Sequence, residues 1–309
     1  MTEKASAMSQ PICAEDGGLD DRLSPIAWPS EPGFDAFRAF LGPEPASLAQ
    51  RSRGVLALAD IIERDVIPRL VLAHRNAPAY VDRAPALLPT EEEVTTLTTL
   101  AVRGNALDIA AYVEGIIGRD VPLERVYLDL LAPVARRLGE MWAADACDFA
   151  TVTMALCALQ QIVLDTGRRA REPLHRPRPG RRAMLAPVPG EQHGFGLLLV
   201  AEFFRRSGWE VWSGTGAGER EITAKVRGES FAIAGFTLSS EDRLGALAQL
   251  ILVVRRASMN RRIGILVGGT IFDGRPGLVA DVGADATAAD GAEATLQAET
   301  LIAMRGLPA

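Results

Sequence analysis

From residue 183 onward the chain alternates short apolar runs with amphipathic stretches of helical period, and this alternation constrains the fold more than any other feature. Ala183–Val188, Trp209–Ser213, Phe231–Thr237 and Arg262–Val267 read as strands, with a weaker fifth at Asp285–Ala288. Phe195–Arg206, Glu219–Arg227, Asp242–Ala257 and Gly277–Val282 read as the intervening helices, and Ala292–Met304 closes the series. Strands that are apolar on both faces and separated by helices belong to a mostly parallel sheet covered on two sides. The expectation is an α/β Rossmann-like domain with a parallel five-stranded sheet.

The preceding residues repeat differently. Val55, Leu58, Ile62, Val66 and Leu70 recur at three and four, as do Leu123, Val126, Tyr127, Leu130, Leu131, Val134 and Leu138. That is the period of an apolar helix stripe, which Pro68 is expected to kink or end in the first case. Thr90 with Glu93 is a capping-box pattern, Asn105 and Asp108 mark another helix start, and Pro122 is tolerated in a first turn. A further helix spans about Asp148–Asp165. These segments predict an all-α helical bundle ahead of the sheet.

Four segments follow from this reading. Residues 1–45, rich in proline and glycine, read as a disordered tail. Residues 46–167 are the bundle. Residues 168–182 gather Arg168, Arg169, Arg171, Arg176, Arg178, Arg181 and Arg182 among several prolines, the composition of an extended linker. Residues 183–309 are the α/β domain.

Composition then removes several function classes. At 48% hydrophobic and 23% charged, the chain is globular rather than disordered or collagenous. Its 3 cysteines lack metal-site or CxxC spacing, so a reducing compartment and free thiols are expected. A formal charge of −6 disfavours a broadly basic nucleic-acid binder, leaving only a weak DNA contact through residues 168–182. The sequence shows neither a secretory signal nor a run of about 18 apolar residues, which points to a cytoplasmic protein without a membrane span. Nothing resembles a catalytic triad, a carboxylate pair or a hydrolytic metal cluster, so no enzymatic activity is expected.

In open α/β sheets ligands bind beyond the carboxyl ends of the strands. Gly214–Gly218 departs from GxGxxG at Glu219 and no P-loop is present, which argues against a nucleotide. The loop after the first strand instead reads Glu191-Gln192-His193-Gly194-Phe195-Gly196. A carboxylate accepting from one ring nitrogen fixes the tautomer and raises the basicity of the other, which suits a metal ligand. Thr237 ends the third strand, and Gly268-Gly269 follow the fourth, where absent side chains let a bulky group approach the backbone.

His193 in its E-x-H-x-x-G loop, Thr237-Leu238-Ser239 and Gly268-Gly269 together resemble the cobalamin-binding, SCHIC-type Rossmann-like domain. The resemblance implies that His193 is the lower axial ligand of cobalt, with Glu191 behind it. It also implies that Thr237, Ser239, Gly268 and Gly269 accommodate the buried nucleotide tail, with Gly196 of the histidine loop also at the cofactor. Glu191 replaces that family's aspartate, and Thr237-Leu238-Ser239 its serine-x-leucine. Tyr127 through Trp142 is similar to the helical bundle that caps cobalamin in light-sensing regulators, with Trp142 over the upper face; the Glu-His that follows there is Val152-Thr153 here.

Residues 59–74, Val152-Thr153 and Gly190 through Arg206 narrow the likeness to the AerR/PpaA group of photosynthesis regulators. That resemblance implies adenosylcobalamin or hydroxocobalamin as cofactor. It also implies antirepressor action on a CrtJ/PpsR-type repressor of bacteriochlorophyll and carotenoid genes. Heme held by His193 is the alternative cofactor, and a corrinoid methyl carrier for a methyltransferase the alternative function.

Overall fold

The computed structural model describes residues 88–171 and 177–305, all within one compact unit. The expectations for the tail and the helix around residues 55–70, and the resemblance at residues 59–74, lie outside the described residues.

The sheet has strands β1 (Arg182–Pro187), β2 (Glu210–Ser213), β3 (Ile233–Thr237), β4 (Gly264–Gly268) and β5 (Ala286–Thr287). Their order is β2-β1-β3-β4-β5, and every neighbouring pair is parallel. The parallel Rossmann-like sheet expected from the alternation is therefore present. Its order reverses between β1 and β3, and such a switch point opens a crevice at the carboxyl ends of those two strands.

The helical layer is α1 (Glu91–Arg103), α2 (Ala106–Ile117), a short turn α3 (Leu123–Arg125), α4 (Ala132–Ala143) and α5 (Phe149–Arg171). Local chemistry sets the starts of α1 and α2. Thr90 Oγ1 accepts from the Glu93 amide at 3.2 Å, while the Glu93 carboxylate accepts from the Thr90 amide at 2.8 Å. Asn105 accepts from the Leu107 amide at 3.1 Å. Each cap satisfies an amide that the helix itself cannot.

One segment departs from the expected helical period. Val126–Leu131 forms a π-helical turn, in which the Ala132 amide donates to the carbonyl of Tyr127, five residues back. Pro133 supplies a physical reason: it has no N–H, and in an α-helix its ring would crowd the carbonyl of Asp129. The wider turn relieves that crowding.

Four helices cross between the strands and one closes the chain: α6 (Phe195–Arg206), α7 (Glu219–Gly228), α8 (Leu244–Ala257), α9 (Pro276–Asp281) and α10 (Gly291–Arg305). On one face of the sheet, Ile222, Val226, Leu247 and Val254 of α7 and α8 pack with Met184, Phe236 and Ile265. On the other, Leu197, Ala201 and Phe204 of α6 pack with Leu185, Ile233 and the α10 residues Ala298 and Ile302.

Helix α6 is apolar on a second side as well. Phe195, Leu199 and Phe203 enter the core of the helical layer beside Tyr127, Leu130 and Leu159. Tyr127 and Phe203 meet edge to face at 6.3 Å, and Arg206 pairs with Glu124 at 2.7 Å. A helix hydrophobic around most of its circumference must be buried between layers, and α6 joins the sheet to the bundle.

Two details correct the sequence reading. Helix α5 is, over Phe149–Ala170, long and apolar enough to cross a membrane by length and composition, although no such run was expected. Its Val152, Ala155, Leu159 and Val163 are buried in the bundle core. The arginine-rich stretch is also not simply an extended linker. Arg168 and Arg169 extend α5 and pair with Asp165 and Glu114. Arg181 is buried, pairs with Glu299 at 2.8 Å and lies over Trp209. Arg182 opens β1 and pairs with Glu210 and Glu229.

Candidate functional site

The loop from β1 to α6 leaves the sheet at the β1/β3 switch point. Gly190 turns it with φ +87°, a conformation that favours glycine, and the Arg243 guanidinium lies across this position. A side-chain carbon there would sit 3.1 Å from Arg243 Nη1. Glu191 then points back into the structure, its side chain only 4% exposed, while the His193 ring stands outward at 70%.

Both oxygens of Glu191 are engaged. Oε1 accepts from the amides of Gln192 at 2.8 Å and His193 at 2.9 Å, and lies 2.6 Å from His193 Nδ1. Oε2 accepts from the Ser239 amide at 2.8 Å and from Ser239 Oγ at 2.6 Å. Ser239 Oγ also lies 2.9 Å from His193 Nδ1. Burial works to raise the Glu191 pKa, but the bonds from Ser239 and His193 outweigh it and hold the carboxyl at about 2. An ionised carboxylate only accepts, so in the neutral ring Nδ1 carries the proton and Nε2 offers its lone pair.

The neighbouring strand ends are equally constrained. Thr237 closes β3 and its carbonyl accepts from the Val188 amide at 3.1 Å. The Leu238 amide donates to the Gly268 carbonyl at 3.0 Å. Gly269 has φ +118°, and a side-chain carbon on it would lie 2.0 Å from the Leu238 carbonyl oxygen. Glycine is required there by both conformation and space. Gly268 and Gly196 are different: a carbon on Gly268 would make ordinary contact at 3.5 Å, and nothing lies within 4 Å of one on Gly196.

Of the residues singled out in the sequence, Glu191, His193 and Ser239 are bonded together, and Thr237, Gly268 and Gly269 border them on adjacent strand ends. Trp142 is not joined to them. It lies at the end of α4, 48% exposed, with no hydrogen bond, ion pair or ring contact to the His193 loop among the described residues. The sequence reading missed Arg243 over Gly190, a contact between loops that no local pattern signals. It also gave no role to the three amides, of Gln192, His193 and Ser239, that brace Glu191.

The donor set defines what metal could be held. Among the described residues no group of three or more His, Cys, Asp or Glu is placed to bind an ion. One outward imidazole with a fixed tautomer suits a metal whose remaining ligands come from its own ring. The bare backbones of Gly194 and Gly196 leave the approach beside it open. Cobalamin fits this donor set.

Residues 181–298 match the family model of the B12 binding domain. Over those residues the chain is similar to a B12 binding domain. It is also 29% identical, over 165 residues, to the "Uncharacterized 20.5 kDa protein in bchF-crtJ intergenic region" of Rhodobacter capsulatus, covering 53% of this chain and 85% of that one. These two findings support the AerR/PpaA-type resemblance. The Methanosarcina barkeri monomethylamine corrinoid protein superposes with a TM-score of 0.56 at 16% identity, over 68% of this chain and 99% of that one. This last likeness shows a shared fold over that part of the chain.

Proposed function

We propose that this chain is a cobalamin-binding, light-responsive regulator that relieves a CrtJ/PpsR-type repressor of photosynthesis genes, acting in the cytoplasm and without catalysis of its own. The observation that carries the reading is the Glu191–His193–Ser239 cluster at the β1/β3 switch point of a B12 binding domain. The R. capsulatus relative's place between bchF and crtJ agrees with the photosynthetic setting.

His193 Nε2 would hold the cobalt of adenosylcobalamin or hydroxocobalamin. Glu191 keeps the proton on Nδ1 and fixes the plane of the ring, and Ser239 fixes Glu191. Gly269 lets the loop after β4 lie against Leu238 and borders the space for the nucleotide tail. Trp142, Phe149 and Met154 of the bundle leave apolar surface exposed, which suits the flat face of a corrin. When bound, cobalamin would supply a cobalt that accepts the His193 imidazole and, in the adenosyl form, a cobalt–carbon bond that light can break. Helix α6 starts directly after His193 and packs on both layers, so a displacement of the loop acts on sheet and bundle together. Such a displacement can shift the arrangement only by the ligand's differential affinity for the two states.

The test is the absorption spectrum of the purified protein with adenosylcobalamin, before and after illumination, followed by repressor release from promoter DNA. Corrin bands that change with light are expected. His193→Ala should lose cofactor through gel filtration while its unfolding midpoint stays unchanged, because the ring is exposed. Protein that stays colourless, or full retention by His193→Ala, overturns the reading. A Soret band would replace cobalamin with heme, and methyl transfer to an acceptor with a partner methyltransferase would establish a carrier instead.

A further inference from the structure

The opposite edge of the sheet carries a different chemistry. In a parallel α/β sheet the crossover helices end beside the amino ends of the strands, where cations complement their carbonyls. Arg227 lies in the last turn of α7, Arg256 in the last turn of α8, and Arg261 and Arg262 in the loop entering β4. All four are exposed. Two of them cap carbonyls: Arg261 donates to the Arg256 carbonyl at 2.7 Å, and Arg262 to that of Arg305 at 3.1 Å.

None of the four has a carboxylate partner among the described residues. The acids nearby are already engaged: Glu210 and Glu229 with Arg182, Glu229 also with Lys225, and Asp285 with Arg255 and Arg305. In a chain of net charge −6 this edge is locally positive. It is also concave. Arg227, Arg256 and Arg261 line a hollow of about 410 Å³, and Arg261, Arg262 and Met259 an adjoining one of about 520 Å³. Leu252, one turn before Arg256, is 45% exposed and Met259 is 57% exposed.

We infer that this edge is a docking surface for a protein partner that presents an acidic segment with apolar side chains among its carboxylates. Arginine and methionine are enriched at protein interfaces while lysine is depleted, and buried arginines are frequent anchors of binding energy. Guanidinium forks match carboxylates in pairs, and Leu252 and Met259 offer apolar surface between them. Duplex DNA fits less well. A rigid polyanion needs a broad basic surface, whereas Glu210 borders this one with its side chain 54% exposed. The inference does not depend on the cofactor, which belongs to the other edge.

The experiment uses the full chain and a fluorescein-labelled peptide in which glutamates alternate with leucines, read by anisotropy. A serine-for-leucine version of the peptide and a random-sequence DNA duplex are run beside it. The expected result is saturable peptide binding that weakens roughly tenfold in R256E/R261E, and weakens when serine replaces leucine. The double variant should keep its unfolding midpoint, since both residues are exposed. Absence of peptide binding, or binding indifferent to R256E/R261E, overturns the inference. So does duplex binding that the double variant abolishes, which would make the edge a nucleic-acid surface. Loss of cobalamin binding with peptide binding intact would refute the proposed function alone.

Discussion

At the carboxyl edge of the sheet the Glu191 side chain is 4% exposed and both its oxygens are saturated with donors. At the amino edge Arg227, Arg256, Arg261 and Arg262 stand in water with no carboxylate opposite them among the described residues. The difference shows what each kind of charge can do. A buried charge is tolerated only when every bond is made, so it fixes geometry: the His193 ring has one tautomer and one direction. Exposed charges make at most a carbonyl bond, as Arg261 and Arg262 do, and remain available to an incoming carboxylate.

The sharpest way to break the ordered edge is Gly269→Ala. A strained backbone costs roughly 1–3 kcal/mol and forcing atoms into filled space costs a similar amount. Their sum, roughly 2–6 kcal/mol, should appear as a lower urea midpoint.

Glu191→Gln is expected to cost less, roughly 1–3 kcal/mol at neutral pH, by leaving donors mismatched. Its pH profile separates charge from shape. Because folding holds this carboxyl at about 2, below its ordinary 4.5, its contribution is complete above 4.5 and fades as the pH falls toward 2. The native chain should therefore lose stability across that window more steeply than Glu191→Gln. Equal slopes would mean the carboxylate is not held as described.

The smallest effect belongs to the open edge. Arg262→Ala should move the unfolding midpoint by no more than about 0.5 kcal/mol and leave cobalamin retention unchanged. A larger shift would show that this edge is as tightly built as the other.

Much of this architecture could be read from the chain because its cues are local. Thr90 and Glu93 cap α1 as their spacing suggests, and Phe195–Arg206 is a helix over the residues its pattern marked. What failed to show depends on distant partners or on a single atom. Arg181 reads as linker until Glu299, far along the chain, is folded against it. The π turn at Val126–Leu131 hides inside a correct apolar period, and its cue was Pro133 rather than any hydrophobic residue. In the site, the Glu191 and His193 pairing follows from their two-residue separation. The Ser239 bond and the Arg243 cover arise because β1 and β3 are neighbours, which only the strand order reveals.

Because α6 is greasy on two sides, the two halves of this protein are not interchangeable cassettes. A fragment beginning at residue 177 would leave Phe195, Leu199 and Phe203 wet, and its copies would be expected to clump through that stripe. Any graft of the α/β domain onto another protein must carry its helical partner along, or repaint those three positions with polar side chains.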